Sequence, residues 1–173
     1  MRIGRLTISD RASEGVYADR GGPEIERVLR DVFGAEAVFL AAIVPDAVPA
    51  IAARLRSLAD TERCDLIVTT GGTGIGPRDV TPEATRLVLE KELPGFGELM
   101  RMRSFERVRT AILSRATAGI RGRSLIINLP GKPTAVAECL TLLAEAIREG
   151  LAHLQGQDPH VPGLPDGGSL TGR

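Results

Sequence analysis

The chain has 173 residues, 43% hydrophobic and 25% charged, with 22 basic and 22 acidic side chains that cancel. That length suffices for one well-buried domain, and zero net charge without a basic run or an aromatic series argues against a nucleic-acid binder. No apolar stretch reaches membrane-span length, and the isolated Cys64, Cys139, His153 and His160 suggest neither a disulfide framework nor a zinc site.

In chain order, residues 3–9 read as a first strand, entered without a leader pattern, so a cytoplasmic protein is expected. A polar loop covers residues 10–22, and Pro23 suits the first turn of a helix carrying Ile25, Val28, Leu29 and Val32 on one face. A second strand spans residues 38–44 and stops at Pro45-Asp46. Asp46 is placed to cap the next helix, whose face is Val48, Ile51, Ala52, Leu55 and Leu58. Residues 66–70 form a third, β-branched strand. Thr81-Pro82-Glu83 then reads as cap, first-turn proline and first-turn acid of a helix reaching about residue 91. A further helix starts near Pro94, residues 110–114 are ambiguous, and residues 124–128 are a strand closed by Leu129-Pro130-Gly131-Lys132-Pro133. The last helix carries Val136, Leu140, Leu143, Ala144, Ile147, Leu151 and Leu154. Alternating strands and amphipathic helices predict an α/β fold in three layers, a mostly parallel sheet with helices on both faces. The domain is expected over residues 1–154, with a tail over 155–173 rich in proline and glycine.

The connection after the third strand, Thr69-Thr70-Gly71-Gly72-Thr73-Gly74-Ile75-Gly76-Pro77-Arg78-Asp79, holds four glycines. Glycine lets backbone amides approach an anion, and an aspartate beside that anion can hold a divalent cation. A phosphate-bearing ligand with magnesium is the expectation. The loop is not a Walker loop, since no Gly-Lys-Ser/Thr follows, and Gly72, Gly74 and Gly76 fall out of register for a dinucleotide fingerprint. The four loops that follow strands, residues 10–22, 45–46, 71–79 and 129–133, should share one edge of a parallel sheet, where ligands bind. Blander readings stand beside these: the loop as a tight turn, Asp46 as a cap, Asp79 as a turn residue, and Arg11, Arg78 and Arg115 as solvated cations unless the site claims them.

Further blocks occur in order around this loop. They are Ile8-Ser9-Asp10-Arg11-Ala12-Ser13-Glu14-Gly15, Asp19-Arg20-Gly21-Gly22-Pro23, Val44-Pro45-Asp46, Pro94-Gly95-Phe96-Gly97-Glu98, Thr110-Ala111-Ile112-Leu113-Ser114-Arg115 and Ile126-Ile127-Asn128-Leu129-Pro130-Gly131. With them, the chain over roughly residues 3–154 resembles the molybdopterin adenylyltransferases of molybdenum cofactor biosynthesis. The resemblance implies that a molybdopterin phosphate attacks ATP, releasing pyrophosphate and leaving adenylylated molybdopterin for a partner that inserts molybdate. It implies catalytic and magnesium-binding roles for Asp46 and Asp79. It places nucleotide phosphates at Gly71, Gly72, Thr73 and Gly74, the nucleotide near Ser104, Pro130 and Gly131, and the pterin near Ser9, Asp10 and Ser13. It also implies a homotrimer, or a hexamer built from two trimers. Lys132 stands where relatives often carry a small or amide residue. The alternative is a molybdopterin-binding or carrier protein of the same fold with little catalysis.

Overall fold

A computed structural model describes residues 1–157; the expected tail lies, from residue 158, outside the described residues. The strands are β1 (Arg2–Ile8), β2 (Val38–Val44), β3 (Leu66–Thr70), β4 (Lys91–Glu92), β5 (Ala118–Arg121) and β6 (Ser124–Leu129). The α-helices are α1 (Asp10–Ser13), α2 (Gly21–Phe33), α3 (Val48–Arg56), α4 (Thr81–Arg86), α5 (Pro94–Phe105) and α6 (Pro133–Leu154). A π-helical turn, Ser57–Thr61, extends α3, and a 3-10 turn, Arg109–Leu113, occupies the ambiguous stretch.

The six strands form one sheet in the order β2-β1-β3-β6-β5-β4. β2, β1, β3 and β6 run parallel, while β5 and β4 are antiparallel additions. Both faces of the central strands are covered, so every residue of β3 and β6 is buried and most of them are apolar, as a doubly covered parallel sheet favours. Alternation along each strand divides the core. Ile3, Leu66, Val68, Leu125 and Ile127 pack with α2, α5 and α6, whereas Leu6, Ile8, Ile67 and Ile126 pack with α3 and α4. Burying each of these side chains contributes about 1.5–3 kcal/mol against chain entropy.

Several boundaries differ from expectation. Ser9 is not in β1: its hydroxyl accepts from the Ala12 amide and caps α1. Ala47, not Asp46, is the N-cap residue of α3. Thr81 is the first residue of α4 rather than its cap, and α4 stops at Arg86, so that Lys91 pairs in β4.

The path from β1 to β2 crosses the α2 face and the path from β2 to β3 crosses the α3 face. The connections therefore diverge between β1 and β3, where parallel sheets form clefts. Register sets Thr70 opposite Thr7 and Leu129, and Val44 opposite Ile8, so the loops after β1, β2, β3 and β6 share one edge.

Candidate active site

The glycine loop opens at that divergence. Gly71 has φ +100°, and a Cβ there would lie 2.2 Å from the Ile8 carbonyl oxygen, so only glycine fits without displacing β1. Gly72, at φ +60°, turns the chain again. Thr81 closes the neck: its hydroxyl donates to the Gly71 carbonyl at 2.9 Å and its amide to the Gly72 carbonyl at 3.0 Å. On the far side, the Thr70 hydroxyl donates to the Pro130 carbonyl at 2.7 Å, and the Gly71 amide to the Leu129 carbonyl at 3.3 Å. Buried Asn128 donates to the hydroxyls of Thr69 and Thr85, both at 3.0 Å, which ties α4 to the sheet beneath the loop.

The two predicted aspartates border this loop. Asp46 receives the Asp10 amide on Oδ2 at 2.8 Å, and its own amide donates to Asp10 Oδ1 at 2.9 Å. This reciprocal pair joins the loops after β1 and β2. Asp46 Oδ1 has no donor among the described residues and points toward Gly72, where a Cβ would lie 3.0 Å away. Asp79 turns back into its own loop: Oδ2 accepts from the Gly76 amide at 2.8 Å, and a Cβ on Gly74 would lie 2.8 Å from it. Burial pushes the Asp46 carboxyl up, and the charges of Asp10 and Asp79 add to the shift. Hydrogen bonding to Arg78 pulls the Asp10 carboxyl down. Arg78 reaches Asp10 Oδ2 through Nη2 at 2.7 Å and Nε at 3.0 Å, bridging the glycine loop to α1.

The remaining predicted residues fall into separate groups. Thr73 is buried, and its carbonyl accepts from the Arg115 amide at 2.8 Å. Ser104 and Pro130 line one cavity of about 200 Å³ with Lys132, Cys139 and Ser114. Gly71 and Gly131 line another of about 130 Å³ with Ile8, Tyr17 and Asp19. Ser13 donates to the Asp10 carbonyl at 2.7 Å, and Ser9 meets the Tyr17 hydroxyl at 3.3 Å, so both serines shape α1.

Arg115, expected to be solvated unless the site claims it, is claimed: it is half-buried behind the loop. Nε donates to the Gly74 carbonyl at 2.6 Å, Nη2 to the Asp79 carbonyl, and Nη1 to the Glu83 carboxylate. Arg78 likewise is engaged rather than free.

This cleft sits in a chain whose residues 4–149 match the model of a probable molybdopterin binding domain of molybdenum cofactor biosynthesis proteins. A curated molybdopterin adenylyltransferase from Helicobacter pylori strain J99 is 54% identical over 147 residues, 85% of this chain and 84% of the relative. The chain belongs to the molybdopterin adenylyltransferase family. Its Escherichia coli K12 member is 44% identical over 162 residues, 94% of this chain and 82% of that one. The crystal structure of the molybdopterin biosynthesis enzyme MoaB from Thermus thermophilus superposes with a TM-score of 0.81 at 43% identity, covering 90% of this chain and 97% of that one. The glycine loop and the aspartate that ends it occupy the sheet edge that the topology alone singles out.

Proposed function

We propose that the protein transfers the adenylyl group of ATP to molybdopterin, in the cytoplasm, as a step of molybdenum cofactor biosynthesis. The convergence of an amide-lined loop with Asp46 and Asp79 at one sheet edge carries this reading. A molybdopterin phosphate oxygen forms a bond to the α-phosphorus of ATP. The bond from that phosphorus to the bridging oxygen breaks, and its electron pair leaves with pyrophosphate. The substrate supplies the nucleophile, so the protein's work is positioning and charge stabilisation. Unpaired amides of the glycine loop supply fixed donors for phosphate oxygens. The cavity at Ser104 and Pro130 takes the nucleotide end, and the α1 loop with Ser9, Asp10 and Ser13 takes the pterin.

The two aspartates fit a magnesium ion. Each keeps one carboxylate oxygen without a protein donor among the described residues, and magnesium accepts one or two carboxylates and fills its shell with phosphate and water. When bound, it would neutralise charge on the phosphates and the departing pyrophosphate.

The test incubates the protein with molybdopterin, ATP and magnesium. Release of pyrophosphate with adenylylated product supports the transferase; tight molybdopterin binding without release supports a carrier. In Asp79→Asn the shape persists while a charge is lost. Turnover should fall about a hundredfold or more, with molybdopterin affinity and the thermal melt unchanged. Near-normal turnover would remove Asp79 from the mechanism.

A further inference from the structure

Arg115 touches the loop from behind in a way that sets which groups the loop shows to a ligand. Its guanidinium holds two carbonyls, those of Gly74 and Asp79, at the two ends of the loop's tip, and is itself anchored by Glu83. Its backbone amide holds a third, that of Thr73. In a planar trans peptide the N–H points opposite to the C=O. Each carbonyl turned into Arg115 therefore turns the next residue's amide away from it. Those amides belong to Gly74, Ile75 and Val80, and none donates to a protein acceptor among the described residues. The guanidinium suits this task because it is planar, always charged and has several fixed donors, so it can grip two carbonyls and a carboxylate at once. Burial pushes the Glu83 carboxyl up, but the Arg115 hydrogen bond, a backbone hydrogen bond and nearby arginine charge outweigh it, so the anchor stays ionised.

We propose that Arg115 is a positioning residue for nucleotide phosphates: it fixes the peptide planes after Gly74 and Asp79 so that the amides of Gly74, Ile75 and Val80 form one anion cradle. This rests on the adenylyl-transfer reading for the identity of the anion. Arg115 need not touch ATP. Its distance in sequence from the loop, 41 residues from Gly74 and 36 from Asp79, makes the clamp a tertiary device rather than a turn preference.

The experiment compares wild type with Arg115→Gln and Arg115→Lys. The backbone bond from residue 115 to Thr73 survives in both, so the loop stays tethered. Amide resonances are followed while a non-hydrolysable ATP analogue is added with magnesium, and KM is measured separately for ATP and for molybdopterin. In wild type, the amide protons of Gly74, Ile75 and Val80 should shift downfield on addition. In Arg115→Gln the Ile75 and Val80 shifts should collapse while that of Gly74, whose peptide plane the surviving backbone bond holds, persists, and KM for ATP should rise about tenfold or more, since charge-assisted bonds fix those two planes. KM for molybdopterin should stay within about twofold, because its contacts lie on other loops. Arg115→Lys, with charge but no fork, should fall between the two. Unchanged shifts and KM in folded Arg115→Gln would overturn the proposal, as would an equal loss for both substrates tracking a lowered melt. If wild type shows the amide shifts but releases no pyrophosphate, the reaction reading fails and the cradle stands.

Discussion

Asp46 and Asp10 form a pair whose two members are pushed in opposite directions. Burial raises Asp46, while Arg78 depresses Asp10. The sign follows from linkage. Asp46 contributes fully to stability below the ordinary aspartate value and loses that contribution as pH rises through its raised value. Asp10 contributes above the ordinary value and loses it as pH falls through its depressed one. On acidification Asp46 should therefore protonate first, while the Asp10–Arg78 pair persists. The magnesium binding proposed for Asp46 should fade with the Asp46 step, since a neutral carboxyl is a poor ligand for a hard cation. Carboxyl-carbon NMR across an acid titration checks the order; Asp10 titrating before Asp46 would refute it. At this scale the sequence singled out Asp46 and Asp79, and the structure brings their loops together, with Asp46 Oδ1 facing Gly72 and Asp79 turned back into its own loop. The sequence did not reveal that Asp46 binds the Asp10 backbone, 36 residues away, or that Arg115 is claimed by the loop. Neither partner has any local pattern to betray it.

Among the elements, the glycine loop was legible because its signals are local: a β-branched strand, then residues that permit unusual turns. The antiparallel strands β4 and β5 were not. They have two and four residues, too few for period-two alternation to stand out, and their pairing is set by the chain's return to the sheet. Glycines also differ in how much the fold depends on them. Gly71 combines a left-handed φ with backbone contact to β1, whereas Gly95 on α5 has nothing within 4 Å of a built Cβ. Gly71→Ala should cost about 3 kcal/mol, roughly 10 °C in Tm, from strain plus displacement of Ile8. Gly95→Ala should leave the melt within about 1 °C, since it sits in the first turn of a helix with open space around it. A paired thermal melt decides the point. Equal, small effects would mean that β1 and the loop can separate cheaply.

At the scale of the molecule, the described residues expose a group of apolar side chains around the 3-10 turn. Met102 on α5 is 68% exposed, and Val108, Ile112 and Leu113, in and beside the following 3-10 turn, are 55%, 64% and 47% exposed. Single exposed apolar residues are ordinary, but four on two packed elements form a patch of the kind that marks an interface. The occupant expected from the resemblance is another copy of the chain, in a trimer or a hexamer built from two trimers. Val108 also lines, with Ser104 and Ala111, the cavity proposed above for the nucleotide. Sedimentation at micromolar concentration should give a mass well above the 18.4 kDa of one chain. Ile112→Asp with Met102→Asp should shift it toward the monomer, because burying two unpaired carboxylates costs several kcal/mol per interface. Both side chains are exposed in the single chain, so the monomer should keep its fold and its circular dichroism. An unchanged oligomer in the double variant would move the interface elsewhere, with the exposed Val38 and Ile43 on the edge strand β2 as the next surface to test.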